Sequence, residues 1–252
     1  MEAVKAALRL EELRKKAAKV RDYKTLKLLY EKNLSEIFNS NTDSFWNEKL
    51  EHELSFPMAD DRNKWILKKL QNSTGKLIEL GFGNAELLKK IQKNNNLSLY
   101  GIDISSYAVY RARKKLKGVF KKTSITKIPF KSNYFDIVLV LEVMEHVSPS
   151  KTFGLLKEVN RVLKSNGILI VSVPLNEGLK EMLFKNENPN AHVRFYSPEL
   201  IIIKLEMSGF IIKEKKLLYA FSRLYNFKKF LQKWVLIKQW KPNNVILIAE
   251  KK

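Results

Sequence analysis

Short apolar segments alternate along the chain with longer segments whose apolar residues recur at helical spacing. The short runs have the length and composition of buried strands, and they fall at 76–80, 97–103, 119–120, 134–141, 168–174, 210–215 and 244–249. The helical pattern predicts helices at 1–20, 23–38, 60–70, 85–91, 105–116, 151–163 and 197–208. Strands that alternate with helices are typical of a mostly parallel sheet with helices on both faces. The pattern therefore predicts an α/β domain over residues 59–252, preceded by an N-terminal helical extension over 1–58.

The turn after the first strand is the main candidate for a ligand site. Gly81 and Gly83 follow that strand directly and permit a tight turn with no Cβ in the way. A helix follows, so the backbone of this turn can approach a ligand at a helix N-terminus. Many strand-to-helix turns carry glycines for packing alone, but Asp103 ends the second strand at the spacing expected of an acid that binds ribose hydroxyls. Together the two features predict a site for a nucleoside-containing cofactor.

Two motifs give the chain a resemblance to a known family. The first is the acid-x-Gly-x-Gly pattern of Glu79, Gly81 and Gly83, with Ala85 where a third glycine is usual. The second runs from Phe135-Asp136-Ile137-Val138 into Glu142, Glu145 and His146. Across about residues 76–174 the chain resembles the class I S-adenosylmethionine-dependent methyltransferases, closest to the ubiquinone-biosynthesis-type O-methyltransferases. The resemblance implies a Rossmann-like, seven-stranded, mostly parallel sheet with an antiparallel last strand, and S-adenosylmethionine as the cofactor.

The resemblance also implies roles for individual residues toward the cofactor. Arg62 lies at the distance before the glycines where a basic residue meets the cofactor carboxylate, although a solvated arginine is an alternative. Ser124 replaces the aspartate that usually contacts the adenine, so we expect a weaker contact there or one from the Ile125 backbone. The cofactor-binding residues implied in this way are Arg62, Glu79, Gly81, Gly83, Asp103, Ser124, Ile125 and Leu141.

The composition narrows the chemistry and the cellular setting. The chain of 252 residues has no cysteine, which excludes disulfides and thiolate chemistry and favours a reducing, cytoplasmic setting. Its formal net charge is +21, which favours anionic partners such as nucleic acid or a membrane surface. A solvated lysine-rich surface explains the same charge. We find no run of transmembrane length and no signal peptide pattern.

Two histidines are candidates for a general base in methyl transfer. His146 follows the fourth strand, where the cleft is expected, and His192 lies near the polar segment 176–190 that we expect on the substrate side. Lone histidines are more often structural, so position decides between the two roles. Glu142, Glu145 and His146 also resemble a proposed metal patch of related enzymes. We favour no metal, because these acids also suit the start of a helix.

The predicted function is transfer of a methyl group to an oxygen, or a nitrogen, of a small-molecule or lipid-linked acceptor. One alternative is an RNA or DNA methyltransferase, which the charge favours. Against it, this chain lacks the Asn/Asp-Pro-Pro-Tyr motif that amino-methylating enzymes of this fold carry after the fourth strand. A second alternative is a non-catalytic scaffold, which the intact cofactor motif disfavours. Nucleic acid is therefore an allowed partner but not the favoured one.

Residues 221–240 form a basic aromatic insert before the last strand. Phe227, Phe230, Leu231 and Trp234 recur at helical spacing among lysines, and the segment has no acid. Such a helix suits either a cap over the cleft or peripheral contact with an anionic membrane surface. We favour the cap.

Overall fold

The computed structural model describes residues 41–52, 57–94, 96–175, 192–219 and 241–252. The helices in these ranges are α1 (Asp43–His52), α2 (Pro57–Lys69), α3 (Glu86–Asn94), α4 (Ser106–Lys115), α5 (Thr152–Val162) and α6 (Pro198–Met207). The strands are β1 (Gly75–Leu80), β2 (Leu97–Asp103), β3 (Val119–Lys122), β4 (Phe135–Leu141), β5 (Leu163–Pro174), β6 (Phe210–Leu218) and β7 (Asn244–Lys251). Two short 3₁₀ turns, Met144–His146 and Pro149–Lys151, join β4 to α5.

The strands form one seven-stranded sheet in the order β3-β2-β1-β4-β5-β7-β6. β1 to β5 pair in parallel, whereas β7 runs antiparallel to both β5 and β6. The predicted mostly parallel sheet with an antiparallel last strand is confirmed. Strand order reverses between β1 and β4, which lie side by side at the centre. In open α/β sheets, ligands bind beyond the carboxyl ends of the strands at such a reversal.

Successive side chains of the central strands enter two hydrophobic cores, one on each face of the sheet. On one face, Ile78 and Val138 pack with residues of α5 and α6. On the other face, Leu77 and Leu139 pack with residues of α2, α3 and α4. A strand buried on both faces reads as a continuous apolar run, which explains why the sequence located β1 and β4 well.

The start of β5 differs from the prediction. We expected the helix that became α5 to reach residue 163 and to stop at Asn166-Gly167, but it ends at Val162, and β5 begins at Leu163. Leu163 pairs with Phe135 and Ile168 pairs with Ile137, so the intervening residues of β5 form a bulge. Asn166 has a φ of +58°. The left-handed residue was therefore recognised correctly, but it bends a strand and does not end a helix.

Helix α1 packs on the sheet domain beside the carboxyl edge. Asn47 accepts hydrogen bonds from the Ser105 hydroxyl and the Tyr107 amide, at 2.7 and 3.1 Å. Asp43 accepts from the Ser106 amide at 2.8 Å. The predicted helices at 1–20 and 23–38 and the insert 221–240 lie outside the described residues, and the domain division at residue 58 stays a prediction. None of the helices in the described ranges is long and apolar enough to cross a bilayer.

Candidate cofactor and acceptor site

The turn after β1 has the backbone conformation that its glycines predicted. Gly81 and Gly83 have φ values of +70° and +50°. A Cβ on Gly81 would lie 2.7 Å from Val143 Cγ2, and one on Gly83 would lie 3.3 Å from Leu50 Cδ2 of α1. Ala85, in the position of the third glycine, also has a left-handed φ of +57°. The turn therefore keeps the glycine-type geometry even where the glycine is missing.

Asp103 ties the turn after β1 to the turn after β2. Its Oδ2 accepts the Gly83 amide at 2.9 Å, and its Oδ1 accepts the Ser105 amide at 2.8 Å. The side chain is buried, and burial raises the pKa of Asp103, while these backbone donors oppose the rise. Each carboxylate oxygen has a second lone pair, so the group can accept further hydrogen bonds from ribose hydroxyls.

Glu79 and Arg62 bring two polar groups to the floor of the cleft. Burial raises the pKa of Glu79 to about 8, with the Arg62 charge opposing the rise and the Asp103 charge adding to it. Among the described residues, Glu79 Oε2 and Arg62 Nε are buried and have no hydrogen-bond partner. Buried polar atoms are costly when they are unpaired, so both atoms fit a site that a polar ligand completes.

Glu142 closes the other side of this floor and has a positive φ of +55°. Its Oε1 accepts the Ser172 hydroxyl at 2.6 Å and the Asn244 amide at 2.7 Å, and it lies 3.6 Å from Arg62 Nη1. This network joins β5, β7 and α2 at the end of β4. The strained backbone and the fixed carboxylate point to a ligand-facing residue. From the sequence we expected Glu142 only at a helix start or in a metal patch, since no pattern predicts its φ or its contact with Asn244.

The remaining predicted cofactor residues lie along the same edge. Leu141 is the last residue of β4, and it pairs with Ser172 of β5. Ser124 follows β3 and is exposed, with its hydroxyl 2.9 Å from that of Thr126. Ile125 is half-buried and packs against one of the two cores. Ser124 is exposed, as an adenine contact requires, and its hydroxyl also accepts the Thr126 amide at 3.3 Å.

His146 and His192, predicted separately, lie together around Glu145. Their Nε2 atoms are 3.8 and 3.9 Å from Glu145 Oε1, and their ring centroids are 4.9 Å apart. Glu145 is only 1% exposed at its side chain, against 13% for His146 and 8% for His192. Trp46 of α1 packs edge-on against His146, with centroids 4.8 Å apart. A carboxylate between two imidazoles can orient one of them as a proton acceptor.

The same three side chains have the spacing of a possible cation site. One ligand atom from each of Glu145, His146 and His192 lies within 4.8 Å of the others. The patch suggested by the sequence contained Glu142 in place of His192. In the structure Glu142 Oε1 is held instead by Ser172 and Asn244. The group that the fold assembles is thus a carboxylate with two imidazoles, a set that transition metals prefer to magnesium.

The sheet order defines a doubly wound α/β protein, and the glycine turn with the acid after β2 forms a candidate nucleoside-cofactor site at its central carboxyl edge. Comparison with known proteins identifies that cofactor. Residues 78–171 match the family described as "Methyltransferase domain". An uncharacterised protein of Methanocaldococcus jannaschii is 32% identical over 178 residues, which are 70% of this chain and 73% of that protein. A ubiquinone biosynthesis O-methyltransferase of Rickettsia bellii is 25% identical over 231 residues, covering 81% and 89% of the two chains.

A solved structure agrees on the fold. The N-methyltransferase NodS of Bradyrhizobium japonicum, in complex with S-adenosyl-L-homocysteine, superposes with a TM-score of 0.62 at 14% identity. The match covers 84% of this chain and 98% of NodS. The chain belongs to the class I S-adenosylmethionine-dependent methyltransferases, and S-adenosylmethionine is its cofactor.

Proposed function

We propose that the enzyme transfers the methyl group to an oxygen, or a nitrogen, of a small-molecule acceptor, with His146 and His192 as the proton-accepting pair. The observation that carries this proposal is the cluster of both histidines around Glu145. Glu145 and His146 lie in the turn after β4, at the edge where the predicted cofactor residues lie. An oxygen acceptor is supported by the similarity to the Rickettsia bellii O-methyltransferase.

In the proposed site, the cofactor residues and the acceptor residues divide the cleft. Asp103 and the Gly81–Gly83 turn are placed to hold the nucleoside, and Arg62 and Glu142 to hold the charged amino-acid end. When bound, the cofactor supplies an electrophilic methyl carbon on a sulfonium. Attack by the acceptor oxygen on that carbon would break the carbon–sulfur bond and release S-adenosylhomocysteine. The acceptor proton would pass to Nδ1 of a histidine whose Nε2 faces the Glu145 carboxylate.

A comparison of the three histidines tests the proposed base. We expect His146→Ala to lower turnover by about 10²-fold or more, because general-base catalysis contributes at least that much, with cofactor affinity unchanged. His192→Ala is expected to lower turnover as well. His52→Ala is the control, since His52 is the last residue of α1 and no feature of the sequence marks it as catalytic. The assay is transfer from labelled cofactor to a panel of phenols, amines, lipid extract and RNA.

The result of that assay separates the candidate functions. Unchanged turnover in both His146→Ala and His192→Ala would remove these residues from the chemistry. Labelling of RNA alone would favour the nucleic-acid alternative, and labelling of lipid alone would favour a lipid-linked acceptor. Labelling of lipid alone would also favour the interpretation of residues 221–240 as a membrane contact.

A bound divalent cation is the second way in which the cluster could activate an acceptor, and the ligand spacing favours testing it. Turnover that a chelator abolishes and that zinc or manganese restores would establish a metal-assisted step. Full turnover in chelator would leave the two histidines as bases.

A further inference from the structure

Arg194 is a buried cation for which the described residues provide no acid. Its side chain is 3% exposed. Nη1 donates to the Thr152 hydroxyl, and the guanidinium lies over the Tyr196 ring with Cζ 4.6 Å from the centroid. Nε is buried without a hydrogen-bond partner, and no carboxylate in the described ranges forms an ion pair with the group. A buried charge is costly unless it is paired, so this guanidinium is suited to an anionic ligand.

The position of Arg194 gives a second reason to expect an anionic ligand. Thr152 is the first residue of α5, an 11-residue helix whose N-cap residue makes no side-chain capping bond. The Thr152 hydroxyl donates to the Ser148 carbonyl at 3.2 Å and accepts from Arg194, so its orientation is fixed. A helix N-terminus carries partial positive charge and favours anions. A cation beside it is unfavourable, and an anion between them would satisfy both.

Arg194 lies in the segment that docks on the proposed acceptor site. The amide of Val193 donates to the Glu145 carbonyl at 2.9 Å, and the Tyr196 hydroxyl donates to the Met144 carbonyl at 3.4 Å. His192, two residues earlier, contacts His146 and Glu145. The guanidinium is therefore held between two contacts with the turn that carries His146.

We propose that Arg194, with Thr152 at the N-terminus of α5, binds an anionic group of the methyl acceptor, either a carboxylate or a phosphate. This inference rests on the proposed function, because it assigns the substrate class of the same site. The guanidinium fork matches the paired oxygens of both groups. The guanidinium binds the anionic group of the acceptor, and the rest of the cleft positions the nucleophile.

The test uses three small aromatic probes that share one ring and differ in the attached group: benzoate, phenyl phosphate and benzamide. Their affinities are measured by calorimetry on the full chain, with and without S-adenosylhomocysteine. We expect the wild type to bind at least one anionic probe about tenfold or more tightly than neutral benzamide. The stronger of the two anions identifies the carboxylate or the phosphate class.

Two variants and a control connect the preference to Arg194. In Arg194→Gln the preference for the anion is expected to disappear, while S-adenosylhomocysteine affinity stays at the wild-type level. Arg194→Lys keeps the charge without the fork, and we expect part of the preference to remain. Arg113→Gln is the control, because the Arg113 guanidinium donates to the Phe120 carbonyl of β3, the edge strand of the sheet.

The outcomes separate this inference from the function on which it rests. Equal binding of the three probes by the wild type would overturn the anion site, and so would a preference that survives in Arg194→Gln. If Arg194→Gln fails to fold, Arg194→Lys and Thr152→Val are measured in its place. A preference for the anionic probe that stays at the wild-type level in both variants would overturn the anion site. Failure of the wild type to bind S-adenosylhomocysteine would instead contradict the cofactor site, while the probes without cofactor still report on Arg194.

Discussion

Glu79, in the candidate cofactor site, is a single residue whose burial we expect to affect the stability of the whole fold. Its side chain is enclosed at the end of β1, and its Oε2 is buried without a partner among the described residues. With its pKa raised to about 8, mainly by burial, the folded protein holds this carboxyl group protonated at neutral pH. The unfolded chain ionises the group near its ordinary value of 4.5. Stability and pH are therefore coupled through this residue.

The coupling gives a prediction of definite sign. Between about pH 4.5 and 8, unfolding releases the Glu79 proton, so raising the pH lowers the free energy of unfolding. Over this range the free energy of unfolding falls by at most about 1.4 kcal/mol per pH unit, and this pH-dependent decrease ends above the folded-state pKa. Glu79→Gln removes it, so we expect the variant to gain stability relative to the wild type as the pH rises. Denaturant unfolding of the cofactor-free protein at pH 5 to 8.5 measures the difference.

The exposed Glu86→Gln in the first turn of α3 is the matched control. Its free energy of unfolding should follow the pH in parallel with the wild type. A constant offset between Glu79→Gln and the wild type over the whole pH range would show that Glu79 is ionised in the folded state.

Among the helices, α1 lies outside the sheet domain in sequence but contacts both halves of the cleft. Asn47 and Asp43 hold the start of α4, and Asn84 in the turn after β1 donates to the Leu50 carbonyl at 3.3 Å. On the acceptor side, Trp46 packs against His146, and Asn41 donates to the His146 carbonyl at 3.2 Å. The helix therefore couples the position of the cofactor turn to that of the proposed base.

The docking of α1 can be tested through Asn47, whose side chain makes three hydrogen bonds with residues 105–107. We expect Asn47→Ala to lower the free energy of unfolding by about 1–3 kcal/mol, because the lost partner leaves the buried Ser105 hydroxyl without its acceptor. Amide hydrogen exchange in α1 should become faster than exchange in β4. Glu48→Ala, an exposed change on the same helix, is expected to alter neither. Equal exchange in both variants would show that α1 is held by its apolar contacts alone.

For the molecule as a whole, the sequence predicted the sheet better than the site. The fold was accessible because each central strand is buried on both faces and must be continuously apolar, and because Ser105 and Ser197 are N-caps whose hydroxyls accept the Ala108 and Leu200 amides. The bulge at Asn166 was missed because a left-handed residue marks both a helix stop and a strand irregularity. Local patterns cannot distinguish the two without the strand partner.

The contacts of the candidate site were predictable only where its residues follow consecutive strands. The turn of Gly81 and Gly83 and the acid Asp103 belong to consecutive strand ends, so spacing alone brings them together. In contrast, two contacts of the site join residues that are far apart in the sequence. They are the contact of His192 with Glu145 and that of Glu142 with Asn244. The Arg194 environment likewise depends on tertiary packing against α5. No periodic pattern encodes such contacts.

The most direct test of the central claim, that S-adenosylmethionine binds at the carboxyl edge of β1 and β2, is a calorimetric titration of the cofactor into Asp103→Asn. We expect the wild type to bind and the variant to bind about 10–100-fold more weakly, because charge-assisted hydrogen bonds worth about 1.5–3 kcal/mol are lost. Asp136→Asn is the control, since Asp136 accepts the Lys76 amide at the opposite edge of the sheet, at 2.8 Å, and should leave affinity unchanged. Binding by Asp103→Asn at wild-type affinity, or no binding by the wild type, would contradict the claim.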